Sequence, residues 1–282
     1  MSGTLYIVAT PIGNLDDLTP RARQTLADVD LIAAEDTRHT GRLLSHIGAQ
    51  TRQMALHDHN EESATERILE ALNEGQDVAL VSDAGTPLVS DPGYRLVRAA
   101  HAADINVSPL PGPCAAVAAL SIAGLPSDRF CFEGFLPAKQ KARRTALDAV
   151  AAETRTLVFY ESVHRIEDTL ADMAAVFGAG RDAFIGRELT KLHEQGVRGA
   201  LGRLSERVAS GDIASKGEFV IVVAGAEPAA ADAHDADALL KELAAVLPAK
   251  TAAAVAANVT GARRNEMYKR ILELSAASDA DA

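Results

Sequence analysis

Three loops rich in proline and glycine, each after a run predicted to be a strand, restrict the fold of this chain more than any other feature. The loops occupy residues 10–15, 82–93 and 109–114. The run before the second loop, residues 78–81 (VALV), is fully apolar, as in strands buried on both faces of a parallel sheet. Helical segments alternate with these strands. The pattern predicts an α/β fold whose three loops line one edge of a sheet.

The longest of these loops has the composition of a ligand site. Gly85 and Gly93 allow backbone conformations that other residues avoid, while Pro87 and Pro92 fix φ and lack an N–H donor, which leaves carbonyl oxygens for a ligand. Such a loop favours a small cationic or neutral molecule. It has neither the clustered glycines nor the lysine of a loop that binds nucleoside triphosphates. An ordinary strand-to-helix turn, with Asp91 as the helix N-cap, is the other interpretation.

Composition narrows the class of protein. The chain has 282 residues, 48% of them hydrophobic, and is long enough for two globular domains. No apolar run is long enough to span a bilayer, and no basic leader precedes the first strand, so we expect a cytoplasmic protein without a membrane segment. Cys114 and Cys131 lack CxxC spacing, which argues against a disulfide framework and a thiolate zinc site. With a formal charge of −11, any role with nucleic acid requires locally clustered cations.

Two polar clusters invite a functional interpretation. Residues 35–38 (EDTR) follow the predicted strand 31–34, a position where α/β sheets place their sites, although a capped helix start would use the same residue types. His57 and His59 would share one side of a strand, but no third ligand is evident nearby. We therefore predict a polar loop there and no metal.

The second half of the chain predicts a different sheet and a helical tail. Aromatic and β-branched strands are expected at residues 130–135, 157–160, 183–186 and 219–223, with helices at about 143–153 and 165–176. The predicted organisation is a first α/β domain (1–125), a second α/β domain (126–226), an acidic linker (227–237) and a helix-turn-helix-like tail (238–276).

Basic residues cluster at two places in this acidic protein. Lys139, Lys141, Arg143 and Arg144 fall within six residues and would suit phosphate groups, or else form a solvated helix start. The tail is also locally basic. Helical packing without a nucleic-acid partner, and a regulator that binds nucleic acid through the tail, both stay open for that segment.

An ordered set of motifs along nearly the whole chain resembles a known family. The motifs are VATPIGNL (8–15), AEDTR (34–38), SDAGTP (82–87), SDPG (90–93), PGP (111–113), FYES (159–162), RELTK (187–191) and KGEF (216–219). Together they are similar to the small-subunit ribosomal RNA methyltransferase I family of the tetrapyrrole methylase superfamily. The sequence Gly85-Thr86-Pro87 departs from the Gly-Asp-Pro common in the tetrapyrrole enzymes, which favours the RNA branch. Methylation of a small tetrapyrrole precursor is the alternative.

The resemblance implies both a reaction and a set of site residues. It implies 2′-O-ribose methylation of a cytidine in the decoding region of 16S ribosomal RNA within the small ribosomal subunit. The enzyme would be a homodimer that binds S-adenosylmethionine between two α/β domains, the second with a mixed sheet. The implied donor-binding residues are Pro11, Ile12, Gly13, Thr86, Pro87, Val89, Cys114, Ala115, Tyr160, Leu189 and Phe219.

The same resemblance leaves the proton acceptor open. Asp83, Glu161, Glu188 and Lys191 lie in loops that could face the cleft, and Asp83 or Glu161 is the expected base. Orientation of loops and arginines by hydrogen bonds is the alternative role for each. Arg38 and the cluster from Lys139 to Arg144 would position RNA phosphates.

Overall fold

The computed structural model describes residues 2–57, 59–227 and 233–280. Its internal contacts divide the chain into two units, one ending at Gly225 and the other starting at Ala226. The first unit contains two five-stranded sheets, each flanked by helices, and the second is helical. The predicted α/β class is confirmed.

The first sheet is entirely parallel and carries the three predicted loops at one edge. Its strands run in the order β3-β2-β4-β1-β5. Since β4, β1 and β5 are neighbours, the loops that follow them lie side by side, as predicted. The elements are β1 (Thr4–Val8), α1 (Pro20–Asp28), β2 (Leu31–Ala34), α2 (Thr37–Ile47), β3 (Gln53–Ala55), α3 (Glu61–Asn73), β4 (Val78–Val81), α4 (Tyr94–Ala102), β5 (Asn106–Leu110) and α5 (Ala115–Ala123).

Burial of both sheet faces explains the apolar strands. Leu80 belongs to a core cluster on one face and Val81 to a cluster on the other, so each residue of β4 is buried. The start of α4 corrects one expectation. Gly93, not Asp91, is its N-cap residue, and Oε1 of Glu61 accepts hydrogen bonds from the backbone N–H groups of Gly93 and Arg95 at 3.1 and 3.0 Å. A distant carboxylate therefore satisfies donors that the alternative interpretation of this loop gave to a local cap.

The second sheet is mixed. In the order β6-β7-β10-β8-β9, only β6 and β7 pair in parallel. We did not anticipate β9 or α8, because two glycines and an arginine dilute the β pattern of the edge strand β9. The elements are β6 (Phe130–Phe135), α6 (Gln140–Ala149), β7 (Thr156–Ser162), α7 (Ile166–Phe177), β8 (Asp182–Arg187), β9 (Gln195–Ala200), α8 (Leu201–Ala209) and β10 (Glu218–Val223).

The second unit consists of α9 (Ala233–Val246), α10 (Ala249–Thr260) and α11 (Arg264–Ala280) in the part that the structure describes. Leu240, Ala256 and Ile271, one from each helix, share its core. The predicted turn is at Gly261, which ends α10 in the left-handed conformation with φ of 72°. Helix α9 begins inside the range predicted as a linker, of which residues 228–232 lie outside the described residues. No described helix is both long and apolar enough to cross a membrane.

Candidate active site

A cavity of about 500 Å³ opens between the two sheets of the first unit, at the edge where the three loops meet. Its volume falls in the range usual for small-molecule sites, about 300–1,000 Å³. Both sheets contribute walls, so the site exists only in the folded unit. The lining residues are Ile12, Glu35, Asp83, Ala84, Gly85, Thr86, Val89, Ser90, Asp91, Cys114, Ala115, Phe135, Tyr160, Glu161, Ser162, Gly186, Leu189, Glu218, Phe219 and Val220.

Hydrogen bonds between neighbouring loops fix the floor of this cavity. Thr10 and Gly85 exchange two backbone hydrogen bonds, of 2.8 and 3.0 Å, and Oγ1 of Thr86 donates to the carbonyl of Pro113 at 3.0 Å. Gly85 adopts φ of 88°, and a Cβ there would lie 3.3 Å from the side chain of Ile12. Glycine is therefore required at Gly85 both for its conformation and for the close approach of the β1 loop.

Strained backbone borders the cavity on two sides. Leu88 and Ser90 in one loop, and Glu188 and Thr190 in the loop after β8, have positive φ values of 71°, 68°, 49° and 66°. Non-glycine residues adopt this conformation at some energetic cost, and such residues concentrate at functional sites. The two loops thus have conformations that the surrounding structure must impose.

Tyr160 joins the second sheet to the first-domain helix α5. Its hydroxyl accepts a hydrogen bond from the backbone N–H of Ala116 at 3.1 Å, which satisfies a free donor at the helix start. The rings of Phe132 and Phe135 contact it edge-on, with centroids 4.9 and 5.6 Å away. Burial raises the pKa of Tyr160, so the phenol stays neutral.

Lys191 forms a second connection between the domains. Its Nζ lies 2.8 Å from Oε1 of Glu188 and 2.9 Å from Oε2 of Glu218. Its aliphatic chain lies against Gly13, where a Cβ would come within 2.3 Å of Cγ of Lys191. Burial disfavours the charged forms of Lys191 and Glu188, but their hydrogen bonds outweigh this effect. The pKa of Lys191 is therefore raised and that of Glu188 is lowered. Lys191 thus remains protonated and Glu188 ionised, each held by its partner.

The four candidate bases therefore differ in their contacts. The side chain of Glu161 is 1% exposed, and Nη2 of Arg165 lies 2.6 Å from its Oε1. Thr169 donates to its other oxygen at 2.7 Å. Because both of its oxygens are engaged, Glu161 anchors α7 and is a poor candidate for proton transfer.

Asp83 is half-buried, and its Oδ1 accepts a hydrogen bond from the backbone N–H of Asp36 at 3.0 Å. Among the described residues no hydrogen bond is donated to Oδ2 of Asp83.

The residues expected to bind the donor fall into two groups. Eight line the cavity: Ile12, Thr86, Val89, Cys114, Ala115, Tyr160, Leu189 and Phe219. The other three do not. Pro11 lines a smaller neighbouring cavity, Gly13 lies against Lys191, and Pro87 is buried within its loop. We did not single out Phe135 and Glu218 from the sequence, although they also line the cavity. A bulge of β6 between Phe132 and Gly134 changes the pairing of Phe135 with β7, and such a bulge has no clear signal in the sequence.

The residues expected to bind RNA differ in their exposure and in their ion pairs. Lys139 and Lys141 are exposed, and the side chain of Arg38 is 87% exposed beside Asp36, whose pKa it lowers through a hydrogen bond. Arg143 is a correction: it is buried, and its Nε donates to Asp172 at 2.7 Å. Arg144 binds the other oxygen of Asp172 at 2.7 Å. A buried carboxylate needs compensating charge, which explains both contacts and makes Arg143 unavailable to a phosphate.

The lining of the large cavity has one sign of charge. Five carboxylates border it, namely Glu35, Asp83, Asp91, Glu161 and Glu218, and none of its described lining residues is lysine, arginine or histidine. Loop carbonyls and apolar side chains complete the wall. This environment favours a cationic molecule with an apolar part and disfavours a nucleoside triphosphate. No cluster of metal-ligating side chains occurs in the described part of the chain.

Comparison with known proteins places this architecture among the methylases. The sequence model of the Tetrapyrrole (Corrin/Porphyrin) Methylases matches residues 4–205. Solved structures with the same fold include uroporphyrin-III C-methyltransferase from Thermus thermophilus, with a TM-score of 0.55 and 18% identity over 79% of this chain and 97% of that one. Diphthine synthase has a TM-score of 0.60 and 14% identity over 79% and 90%. The chain therefore belongs to the tetrapyrrole methylase class, and its fold is that of these structures.

Relatives of much higher identity define the branch. Ribosomal RNA small subunit methyltransferase I of Escherichia coli O157:H7 is 57% identical over 274 residues, covering 96% of this chain and 95% of the relative. That of Pseudomonas aeruginosa PAO1 is 53% identical, covering 96% and 98%. The RsmI C-terminal HTH domain matches residues 230–275. The chain therefore belongs to the ribosomal RNA small subunit methyltransferase I family.

Proposed function

We propose that this protein uses S-adenosylmethionine to methylate the 2′-hydroxyl of a cytidine in the decoding region of 16S ribosomal RNA. The observation that carries the proposal is the carboxylate-lined cavity with Asp83 at its edge, in a chain whose relatives are named as small-subunit RNA methyltransferases. A ribosomal substrate implies that the reaction takes place in the cytoplasm.

The cavity residues fit the donor. The carboxylates Glu35, Asp83 and Asp91 favour the positive charge of a sulfonium, whereas Glu218 is already paired with Lys191. Apolar side chains such as Val89 and Leu189 suit the rest of the molecule. When bound, S-adenosylmethionine supplies an activated methyl group, which a ribose oxygen takes as the carbon–sulfur bond breaks. The protein holds the two reactants in line, and alignment of this kind contributes up to about 7–11 kcal/mol.

Asp83 is our candidate for the group that accepts the hydroxyl proton. It lines the cavity, and the hydrogen bond from Asp36 fixes one oxygen while the other is left for substrate. A positioned base contributes about 10²–10⁴-fold to such a transfer. Glu161, Glu188 and Lys191 instead act through the contacts that position the loops.

The test is methyl transfer from labelled S-adenosylmethionine to small subunits that lack their native modifications, with nuclease mapping of the labelled nucleotide. We expect label on the ribose of one decoding-region cytidine. Asp83→Asn should lower the rate by about 10²–10⁴-fold. Its affinity for S-adenosylhomocysteine, measured by calorimetry, should stay near that of the wild type. Asp148→Asn, an exposed aspartate on α6, is the matched control and should keep full activity.

Two results would contradict the proposal in different ways. If subunits and free RNA stay unlabelled while the donor product binds, the RNA assignment is wrong, and tetrapyrrole precursors are the next substrates to test. If Asp83→Asn and Asp148→Asn are equally active, methyl transfer stands but Asp83 is not the base.

We also propose that the protein acts as a homodimer. Val117 and Ile122 on α5 are 57% and 53% exposed, and we choose these apolar positions to test for contact between two copies. Sedimentation equilibrium of the wild type and of a Val117→Asp, Ile122→Asp variant tests this, and an unchanged monomer mass in both contradicts it.

A further inference from the structure

A second cavity, of about 260 Å³, lies beside the first and shares Asp83 with it. All its lining residues belong to the first domain, in the loops after β1 and β4 and the first turns of α2. They are Thr10, Pro11, Leu15, His39, Thr40, Arg42, Leu43, Ser82 and Asp83. Of these, only Pro11 and Asp83 have a role in the function proposed above or in its donor site.

Unlike the first cavity, this second cavity has basic residue types in its lining beside Asp83. His39 and Arg42 line it, and both are exposed to solvent. The side chain of Arg42 makes no hydrogen bond or ion pair within the described residues, so its charge is available to a ligand. Leu15 and Leu43 add apolar surface to the same lining, and Leu15 is 45% exposed although it is a leucine. A ligand with an anionic group and a small apolar or aromatic part is the chemical match.

Helix α2 places His39 and Arg42 relative to Asp83. His39 and Arg42 are three residues apart, so they occupy the same face of the helix. The N-cap residue of this helix is Asp36, and its backbone N–H donates to Oδ1 of Asp83 at 3.0 Å. The start of the helix face that carries His39 and Arg42 is thus tied by a hydrogen bond to the carboxylate that borders the first cavity.

We propose that the second cavity binds the acceptor nucleotide, with His39 and Arg42 at a phosphate, Leu15 and Leu43 against the sugar and base, and Asp83 accepting a hydrogen bond from the ribose hydroxyl. This inference rests on the proposed function and identifies its acceptor subsite. The volume suits one nucleotide withdrawn from its stack, as enzymes that modify single nucleotides require. It is too small for a tetrapyrrole macrocycle.

The experiment measures binding without the methyl donor. Cytidine 3′,5′-bisphosphate is titrated into the full-length protein by NMR, with Arg42→Gln, His39→Gln and Arg42→Lys as variants. Arg23→Gln is the matched control, since Arg23 is an exposed arginine on α1 whose side chain has no partner among the described residues. We expect Arg42→Gln and His39→Gln to weaken binding about tenfold, Arg42→Lys less, and Arg23→Gln not at all.

The outcomes separate this inference from the proposed function. Equal affinities for Arg42→Gln and Arg23→Gln overturn the subsite, as does failure of the wild type to bind the bisphosphate at millimolar concentration. Inorganic phosphate binding as tightly as the bisphosphate also overturns it, because the cavity would then be a simple anion site. A wild type that binds the bisphosphate through Arg42 but methylates no RNA keeps the subsite and removes the proposed substrate.

Discussion

Replacing Arg143 with alanine is expected to destabilise the fold while leaving RNA binding intact, although a basic cluster in the sequence suggested the opposite role. The side chains of Arg143 and Asp172 are 2% and 1% exposed, and their closest charged atoms are 2.7 Å apart. The substitution removes a cation from the interior and leaves the carboxylate of Asp172 there. An uncompensated buried charge is among the most destabilising changes in a folded protein.

The contacts around Asp172 set the magnitude. Removing one partner of a buried pair costs about 3–5 kcal/mol. Arg144 and Gln140 still donate to Oδ1 of Asp172, at 2.7 and 3.2 Å, so we expect the lower value, about 3 kcal/mol. For a folded unit of this size, 1 kcal/mol corresponds to about 2–4 °C, which gives a fall in Tm of about 6–12 °C.

The pH dependence of the variant's stability should also differ from that of the wild type. Burial alone would raise the pKa of Asp172, but hydrogen bonds from Arg144 and Arg143 outweigh it and lower the pKa. A depressed carboxyl pKa contributes stability that is present above the unfolded value, about 3.9, and is lost as pH falls through the folded value. Arg143→Ala should therefore lose less stability on acidification than the wild type.

The assay is thermal and urea unfolding of the full chain, with Lys141→Ala as the control on the same helix. Lys141 is exposed, and its loss should change stability by less than about 0.5 kcal/mol. Replacing both Arg143 and Asp172 with leucine should recover much of the lost stability, since an apolar pair needs no compensation. The reasoning is refuted if Arg143→Ala is as stable as Lys141→Ala while its affinity for small subunits falls.

Two further substitutions test the connections between the domains. Tyr160→Phe removes the acceptor for the N–H of Ala116 and should lower the free energy of unfolding by about 1–3 kcal/mol. Urea unfolding measures this, and an unchanged midpoint would show that another group satisfies the donor. Gly13→Ala places a methyl group 2.3 Å from Cγ of Lys191 and should displace that side chain. We expect weaker binding of S-adenosylhomocysteine in calorimetry, and an affinity equal to that of the wild type would contradict a positioning role for Lys191.

Much of the fold could be predicted because it depends on local pattern. The apolar run of β4 and the Pro/Gly loops after β1, β4 and β5 each carry their signal within a few residues. The same holds for Gly261, whose left-handed conformation ends α10. Strand β9 was missed because an edge strand forms from pairing with β8 rather than from its own β propensity.

The sequence by itself determined the α/β class, the loops that meet at one edge and about half of the residues that line the large cavity. Only the tertiary structure decided which charges serve stability and which are available to ligands. Arg143 and Asp172 are 29 residues apart, and Glu161 is held by Arg165, which precedes α7, and by Thr169 on α7. Arg42, by contrast, which no motif drew attention to, has no partner among the described residues. Charge is a property of a residue, but its compensation depends on neighbours that folding brings from distant parts of the chain.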